Sequence, residues 1–381
     1  MSGLSEERLA RLKAAIEGDV ERGLYHGAVV KVARGGVVGL HEAVGWADRK
    51  TRTPITRDAV FSIFSTTKAI TNVLVYRAVE LGQFGFTTPV REIIPEFSGG
   101  LRSSITFEHL LTHTSGLPSV FSPRPGMYID RLDEIVDAIC QFVHCEVPPG
   151  EKVTYSPMAA HALMGEAVRL ADPMGRSYRR LVQDELFDPL GMKDSSIGVR
   201  KDLRPRHLVP EFLFDFPATH PGHSDLGPNG AFEEEEAEMP WVGCVTTTGD
   251  LHRFAEMLRR GGELDGARVL GPAIIDLVTR NRTGERPNEL YKVLAIQRGW
   301  TPAPAYIGLG FVLRGEAICH HQLGNLATPR TFGNHGAGSS IFWIDPERDL
   351  TFACLTHGVM EESANIERFH RLSDMAQAAV V

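Results

Sequence analysis

The segment from about Ser5 to Arg22 carries the mixed apolar and charged spacing of an amphipathic helix. Two β-rich runs follow, Gly27–Ala33 and Val37–Val44, with Arg34-Gly35-Gly36 between them as a hairpin signal. Helical spacing returns over Lys68–Glu80. From roughly residue 86 to 235 the pattern is mainly helical, broken by Pro148-Pro149-Gly150 and Pro189-Leu190-Gly191. Residues 197–240 read as irregular, with Pro205, Pro210, Pro217, Pro221 and Pro228 and an acidic run, Glu233–Glu236, expected to be solvated and without functional weight. Helical spacing resumes near Thr248–Gly261. Strand patterns follow at Ile307–Leu313, Ser339–Ile344 and Leu350–Thr356, the last two joined by a turn at Asp345–Asp349, and a final helix is expected over Glu361–Ala379.

This order predicts an α+β fold. An antiparallel sheet built from both ends of the chain, residues 1–85 and 242–381, is flanked by the terminal helices, and a mainly helical lobe, residues 86–241, is inserted between them. A cleft at the junction is then the expected site. Its pocket is expected from the 197–240 segment and from loops near Phe121–Tyr128 and Trp300–Tyr306.

Composition narrows the class. With 43% hydrophobic and 23% charged residues among 381, the chain is an ordinary globular protein. The net charge of −8, with Lys and Arg spread along the chain, argues against nucleic acid or an anionic membrane as partner. No stretch is long and apolar enough to span a membrane. The N-terminus, Met1–Arg8, lacks a basic region followed by an apolar run, so no signal peptide is expected. Five widely spaced cysteines, Cys140, Cys145, Cys244, Cys319 and Cys354, fit free thiols in a reduced, cytoplasmic protein. Self-association is left open.

The chemistry centres on Phe61-Ser62-Ile63-Phe64-Ser65-Thr66-Thr67-Lys68. Ser65 and Lys68, three apart, share one face of a helix. At a helix start the Ser65 N–H has no intrahelical partner and can point at a developing oxyanion. A serine hydroxyl needs a base, and a desolvated lysine can be one. The competing reading is an N-cap serine followed by a solvent-facing lysine. No other Ser-x-x-Lys occurs in the chain.

With these residues the sequence resembles the serine β-lactamase-like family, which contains class C β-lactamases, family VIII carboxylesterases, D-Ala-D-Ala carboxypeptidases and related acyltransferases. The resemblance runs in order along nearly the whole chain. Phe64–Lys68 resembles the nucleophile motif, Leu110-Leu111-Thr112-His113-Thr114-Ser115-Gly116-Leu117 a structural segment, and Pro149–Ser156 the stretch with the catalytic tyrosine. Pro189–Met192 and Gly261–Gly266 are further markers, and Phe332–Gly338 resembles the third motif, on the strand closing the site. The resemblance implies that Tyr155 is the partner base of Ser65, with the Lys68 charge lowering its pKa. The alternative is a buried tyrosine with a satisfied hydroxyl.

Two departures point away from β-lactams. Where the family often has Asn two residues after the tyrosine, this chain has Pro157, which has no side-chain hydrogen-bonding group. The third motif has no Lys-Thr-Gly. An ungapped match puts Asn334 first, His335 second and Gly336 third; a one-residue slip puts His335 first but leaves Ala337 where Gly is expected. The first register is preferred, and it makes the Ala337 N–H the second oxyanion donor beside Ser65.

Other candidates are weaker. His109 and His113 are spaced i, i+4, but Leu110 replaces the Glu of a zinc-protease motif, so the pair reads as structural. His320 and His321 are adjacent and on a strand would face opposite ways. There is no Gly-x-Ser-x-Gly elbow and no nucleotide-binding glycine motif. The expectation is a serine esterase for a small-molecule ester, needing no metal or cofactor. The alternatives are an acyltransferase of the same fold, then a β-lactamase or D-amino-acid peptidase, or a non-catalytic binding protein.

Overall fold

The structure is a computed structural model that describes residues 3–215, 220–224 and 226–381. Pro217 and the first two residues, Met1 and Ser2, lie outside the described residues. Helix α1 (Glu6–Glu21) starts at Ser5, whose side chain accepts from the Arg8 N–H. Strands β1 (Gly27–Arg34) and β2 (Val37–Asp48) form the hairpin, and β3 (Thr53–Pro54) adds to its edge. The chain returns to this sheet with β4 (Val312–Leu313), β5 (Phe332–Gly336), β6 (Ser340–Asp345) and β7 (Leu350–His357). The order is β4-β5-β6-β7-β1-β2-β3, antiparallel throughout, and β1 pairs with β7 over its full length, from Gly27 opposite His357 to Arg34 opposite Leu350. The sheet is built from both ends of the sequence.

Alternation along the strands explains why both faces are covered. Ala28, Val30 and Val32 of β1, with Ile341 and Trp343 of β6, pack against Leu9, Leu12 and Ile16 of α1 and Phe369 and Leu372 of the last helix, α7 (Glu362–Gln377). Val29 of β1 and Phe342 and Ile344 of β6 point the other way, into the main core. There helix α2 (Thr67–Glu80) and helix α5 (Thr248–Arg259) cover the sheet, with Phe254 edge-on to Phe342. Each fully buried Leu or Ile contributes about 1.5–3 kcal/mol. Between the sheet segments run α3 (Leu132–Phe142), α4 (Ala159–Ala171) and shorter turns, and α6 (Glu289–Gln297) precedes β4. Among the described residues no helix is long and apolar enough to cross a membrane.

Two sequence expectations fail for local reasons. The apolar run Ile307–Leu313 forms a strand only at Val312–Leu313. Tyr306 and Gly310 have positive φ, 42° and 95°, and the carbonyls of Leu309 and Gly310 are taken by the side chains of Tyr76 and Asn72 on α2, not by a strand. The acidic run is not a solvated loop throughout: Glu234 is buried and accepts from the Ser224 N–H and hydroxyl at 2.9 and 2.7 Å. These bonds offset the desolvation of its carboxyl.

Candidate active site

The site begins with a strained turn. Phe64 has φ 46°, a left-handed backbone that a bulky residue rarely adopts, and its ring is held edge-on by Phe212 and Phe232. The turn Phe64–Thr66 leads directly into α2, so Ser65 stands just ahead of the first helical residue. Every α2 residue from Thr67 to Tyr76 is buried, Lys68 included at 3% exposure. Here the solvent-facing lysine reading ends.

Ser65 Oγ is the meeting point. Lys68 Nζ lies 3.0 Å from it and also donates to the Trp241 carbonyl at 3.0 Å; Tyr155 Oη lies 2.7 Å from it on the other side. Burial lowers the Lys68 pKa far below its ordinary value, which favours a neutral amine able to take a proton. For Tyr155 the structure corrects the expectation that the lysine charge lowers its pKa. Burial pushes the phenol up, the Ser65 hydrogen bond opposes this, and the Glu362 charge adds to the rise. Both shifts favour the neutral forms, an amine and a phenol.

Strand β5 closes the other side. A Cβ on Gly336 would lie 2.2 Å from the Ile63 carbonyl oxygen and 3.0 Å from the Ser65 nitrogen, so only glycine lets the strand come this close to the nucleophile turn. Ser340 on β6 locks the contact, donating to the Ile63 carbonyl at 2.7 Å and lying 2.9 Å from Thr66 Oγ1. Ala337 follows Gly336 and is the exposed residue of an otherwise buried turn to β6. Asn334 is buried and its Nδ2 lies 3.3 Å from the Gly310 carbonyl. His335 reaches the cavity, and burial, then the Lys68 charge, push its pKa down to about 4, so it is neutral near pH 7.

The remaining histidines divide into supports and walls. His109 Nδ1 accepts the Thr106 N–H within a helix cap, and His113 Nδ1 accepts the Ser156 N–H while its ring packs 4.9 Å from Tyr155. His113 therefore holds the tyrosine loop. Among the described residues no cluster of His, Cys, Asp and Glu is arranged to hold a metal ion. His320 and His321 are in a loop, not a strand, and both line the cavity, His320 stacked on Trp300 at 4.1 Å.

The cavity has a volume of about 970 Å³ counting its open mouth. Ser65, Lys68 and Tyr155 lie at its polar end, and Leu294, Ala295, Ile307, Phe311 and Val312 make its apolar wall. Of the loops expected to supply it, the stretch around Trp300 does; among the described residues neither Phe121–Tyr128 nor the 197–240 segment lines it. Sequence reasoning missed three residues here. Asn288 caps α6, and Tyr291 on its first turn lies between Tyr155 and His335, ring centroids 6.2 and 6.1 Å away. The Tyr291 hydroxyl donates to Glu362 at 3.3 Å. Burial raises the Glu362 pKa to about 7, against hydrogen bonds from Gly338, Asn365 and Tyr291. The only sequence signal was an Asn-Glu start before an apolar run, which marks a helix and nothing more.

The family model described as Beta-lactamase matches residues 12–375. The chain belongs to the beta-lactamase family. The esterase/beta-lactamase LipL of Mycobacterium tuberculosis is 26% identical over 368 residues, covering 88% of this chain and 79% of that protein. The esterase EstB of Burkholderia gladioli is 37% identical over 202 residues, 49% of this chain and 50% of EstB. A penicillin-binding protein homologue from Caulobacter crescentus superimposes with a TM-score of 0.77 over 97% of both chains at 24% identity, a likeness of fold. The architecture is thus the β-lactamase/transpeptidase-like α+β fold, and the family is one of serine hydrolases.

Proposed function

We propose that this chain hydrolyses carboxylic esters with an apolar acyl or alcohol part through an acyl-enzyme on Ser65. The observation that carries the reading is the three-way contact at Ser65 Oγ, with Lys68 Nζ at 3.0 Å and Tyr155 Oη at 2.7 Å, at the end of a mainly apolar cavity. The Ser65 proton passes to the Lys68 amine as Oγ bonds to the ester carbonyl carbon. The carbonyl oxygen takes the negative charge, faced by the N–H groups of Ser65 and Ala337. Collapse expels the alcohol, which takes a proton from Tyr155; the phenol recovers one from the Lys68 ammonium. Water repeats the sequence on the acyl-enzyme and releases the acid.

Ester over β-lactam rests on two local facts. Pro157 offers no side-chain hydrogen-bonding group near the tyrosine, and β5 presents Asn334 and a neutral His335, neither of them a fixed positive charge to hold a substrate carboxylate. Among the described residues lining the cavity, Lys68 is the sole Lys or Arg. EstB, named as an esterase, supports the same choice, and LipL is named for both activities.

A fluorophosphonate should add to Ser65, read by intact mass and peptide mapping, and Ser65→Ala should remove the adduct. Folded native protein that stays unlabelled overturns the reading. p-Nitrophenyl esters should be turned over far better than ampicillin; efficient ampicillin hydrolysis overturns the ester preference.

A further inference from the structure

Asn288 has an unusual position for a helix cap. Its Oδ1 accepts the Leu290 N–H at 3.1 Å, as an N-cap does, and also faces the Tyr155 N–H at 3.4 Å. The Glu289 N–H donates to the Val153 carbonyl at 2.9 Å, so the start of α6 is stitched to the tyrosine segment on both sides. Two backbone N–H groups on one side-chain atom fix which end of the amide is oxygen. The other end, Nδ2, has no acceptor among the described residues. The residue is only 7% exposed, and it lines the catalytic cavity. Nδ2 is not among the sealed side-chain atoms without partners, so what access it has is from the cavity.

A donor at this place has a consequence for selection. Its neighbours on the wall, Tyr291, Leu294 and Ala295, offer hydrocarbon and ring faces. A purely hydrocarbon substrate that fills the cavity strips Nδ2 of water and returns nothing. A substrate with an oxygen at that depth keeps the bond.

We propose that Asn288 is a specificity-determining residue, whose Nδ2 donates to a carbonyl or ether oxygen in the acyl or alcohol part of the ester, so that oxygen-bearing esters are preferred over their hydrocarbon isosteres. This rests on the ester-hydrolase reading above. Sites that hydrogen-bond a substrate group discriminate strongly against analogues lacking it, because the site's own group is left unpaired.

The test compares isosteric pairs. In the acyl series, p-nitrophenyl 3-methoxypropanoate is set against the pentanoate and the 4-methoxybutanoate against the hexanoate. In the alcohol series, alkyl butanoates are set against the same esters with one chain CH2 replaced by oxygen. Each kcat/KM is divided by the ester's hydroxide-catalysed rate. At least one series should show a preference of about tenfold or more for the oxygen-bearing member. Asn288→Asp keeps an acceptor for Leu290 and Tyr155 and remains a good cap, but replaces the donor by an oxygen. Asn288→Ser is a second, uncharged cap without the donor. In both the preference should collapse to within about twofold, read as a ratio within each variant.

Wild-type ratios within about twofold in both series, or a preference that survives in both variants, overturn the proposal while leaving the hydrolase intact. Absence of turnover on every ester, with Ser65 unlabelled by fluorophosphonate, sinks the hydrolase reading and this one with it.

Discussion

Helices α2 and α6 line the same cavity, and they could hardly be built more differently. In α2 every residue from Thr67 to Tyr76 is buried, and the side chains of Asn72 and Tyr76 tie neighbouring carbonyls to it. In α6 only Ala295 is fully buried; Leu290, Val293 and Ile296 are exposed on the outer side while Tyr291 and Leu294 look inward. The first carries Lys68 and is led into by the turn that holds Ser65, and the distances among the reacting groups must hold to a fraction of an ångström. The second carries the wall against which a substrate lies. A chain can change what it accepts by altering α6 without disturbing the core that positions the chemistry.

The comparison is broken most sharply from the α2 side. Ser65→Ala should lower ester turnover by at least about 10⁴-fold, with thermal stability little changed. Gly336→Ala tests the approach of β5 to the same turn: the added methyl meets the Ile63 carbonyl oxygen, so kcat should fall strongly while the protein still folds. Near-normal kcat there would show that the strand can move away without cost. Tyr155→Phe should lower kcat by at least about a hundredfold, measured under substrate saturation.

Effects from the α6 side should be smaller and should depend on substrate. Leu294→Ala should reduce kcat/KM for long-chain esters by roughly tenfold and leave acetate esters nearly untouched. Equal loss on both would mean that α6 supports the catalytic geometry and not selection. The smallest effect is expected at Glu362. Its carboxyl titrates at about 7, raised from the ordinary value, so it is ionised above neutral pH and protonated below. The groups facing it are Tyr291 from α6, His335 and the Gly338 N–H from the β5–β6 region, and Glu361, Asn365 and Arg368 from its own helix. Only the ionised form can accept fully from Tyr291 and Gly338, so kcat should rise modestly as pH passes upward through about 7. Glu362→Gln should flatten that step; an unchanged pH–rate profile would remove Glu362 from the account.

The same contrast explains what could be read from sequence. Ser65 and Lys68 are legible because three residues of spacing on a helix start place them together, and Tyr155 is legible because its motif accompanies theirs. The terminal strands are legible because a sheet covered on both faces needs short, β-branched apolar runs bounded by turn residues, as at Val29 and Val30. Asn288, Tyr291 and Glu362 have no such signature. Their roles arise where α6 and α7 approach the tyrosine segment, and local spacing carries no record of that approach. The Ile307–Leu313 run misleads for a related reason: its carbonyls are claimed by Asn72 and Tyr76, more than 200 residues away in sequence. Phe121–Tyr128 and the 197–240 segment looked like pocket loops because they are irregular, yet irregularity says nothing about which way a loop lies.

The pairing of β1 with β7 also sets a timetable. Ala33 accepts a hydrogen bond from Thr351, a residue 318 positions later, and the contact recurs along the full strand. At ribosomal rates of about 5–20 residues per second, the first hairpin waits tens of seconds for its central partner. During that interval the β1 edge, Gly-Ala-Val-Val-Lys-Val-Ala-Arg, is an unpaired apolar template of the kind that joins other chains. Lys31 is the one charge that interrupts its apolar run, a residue of the kind that discourages such pairing.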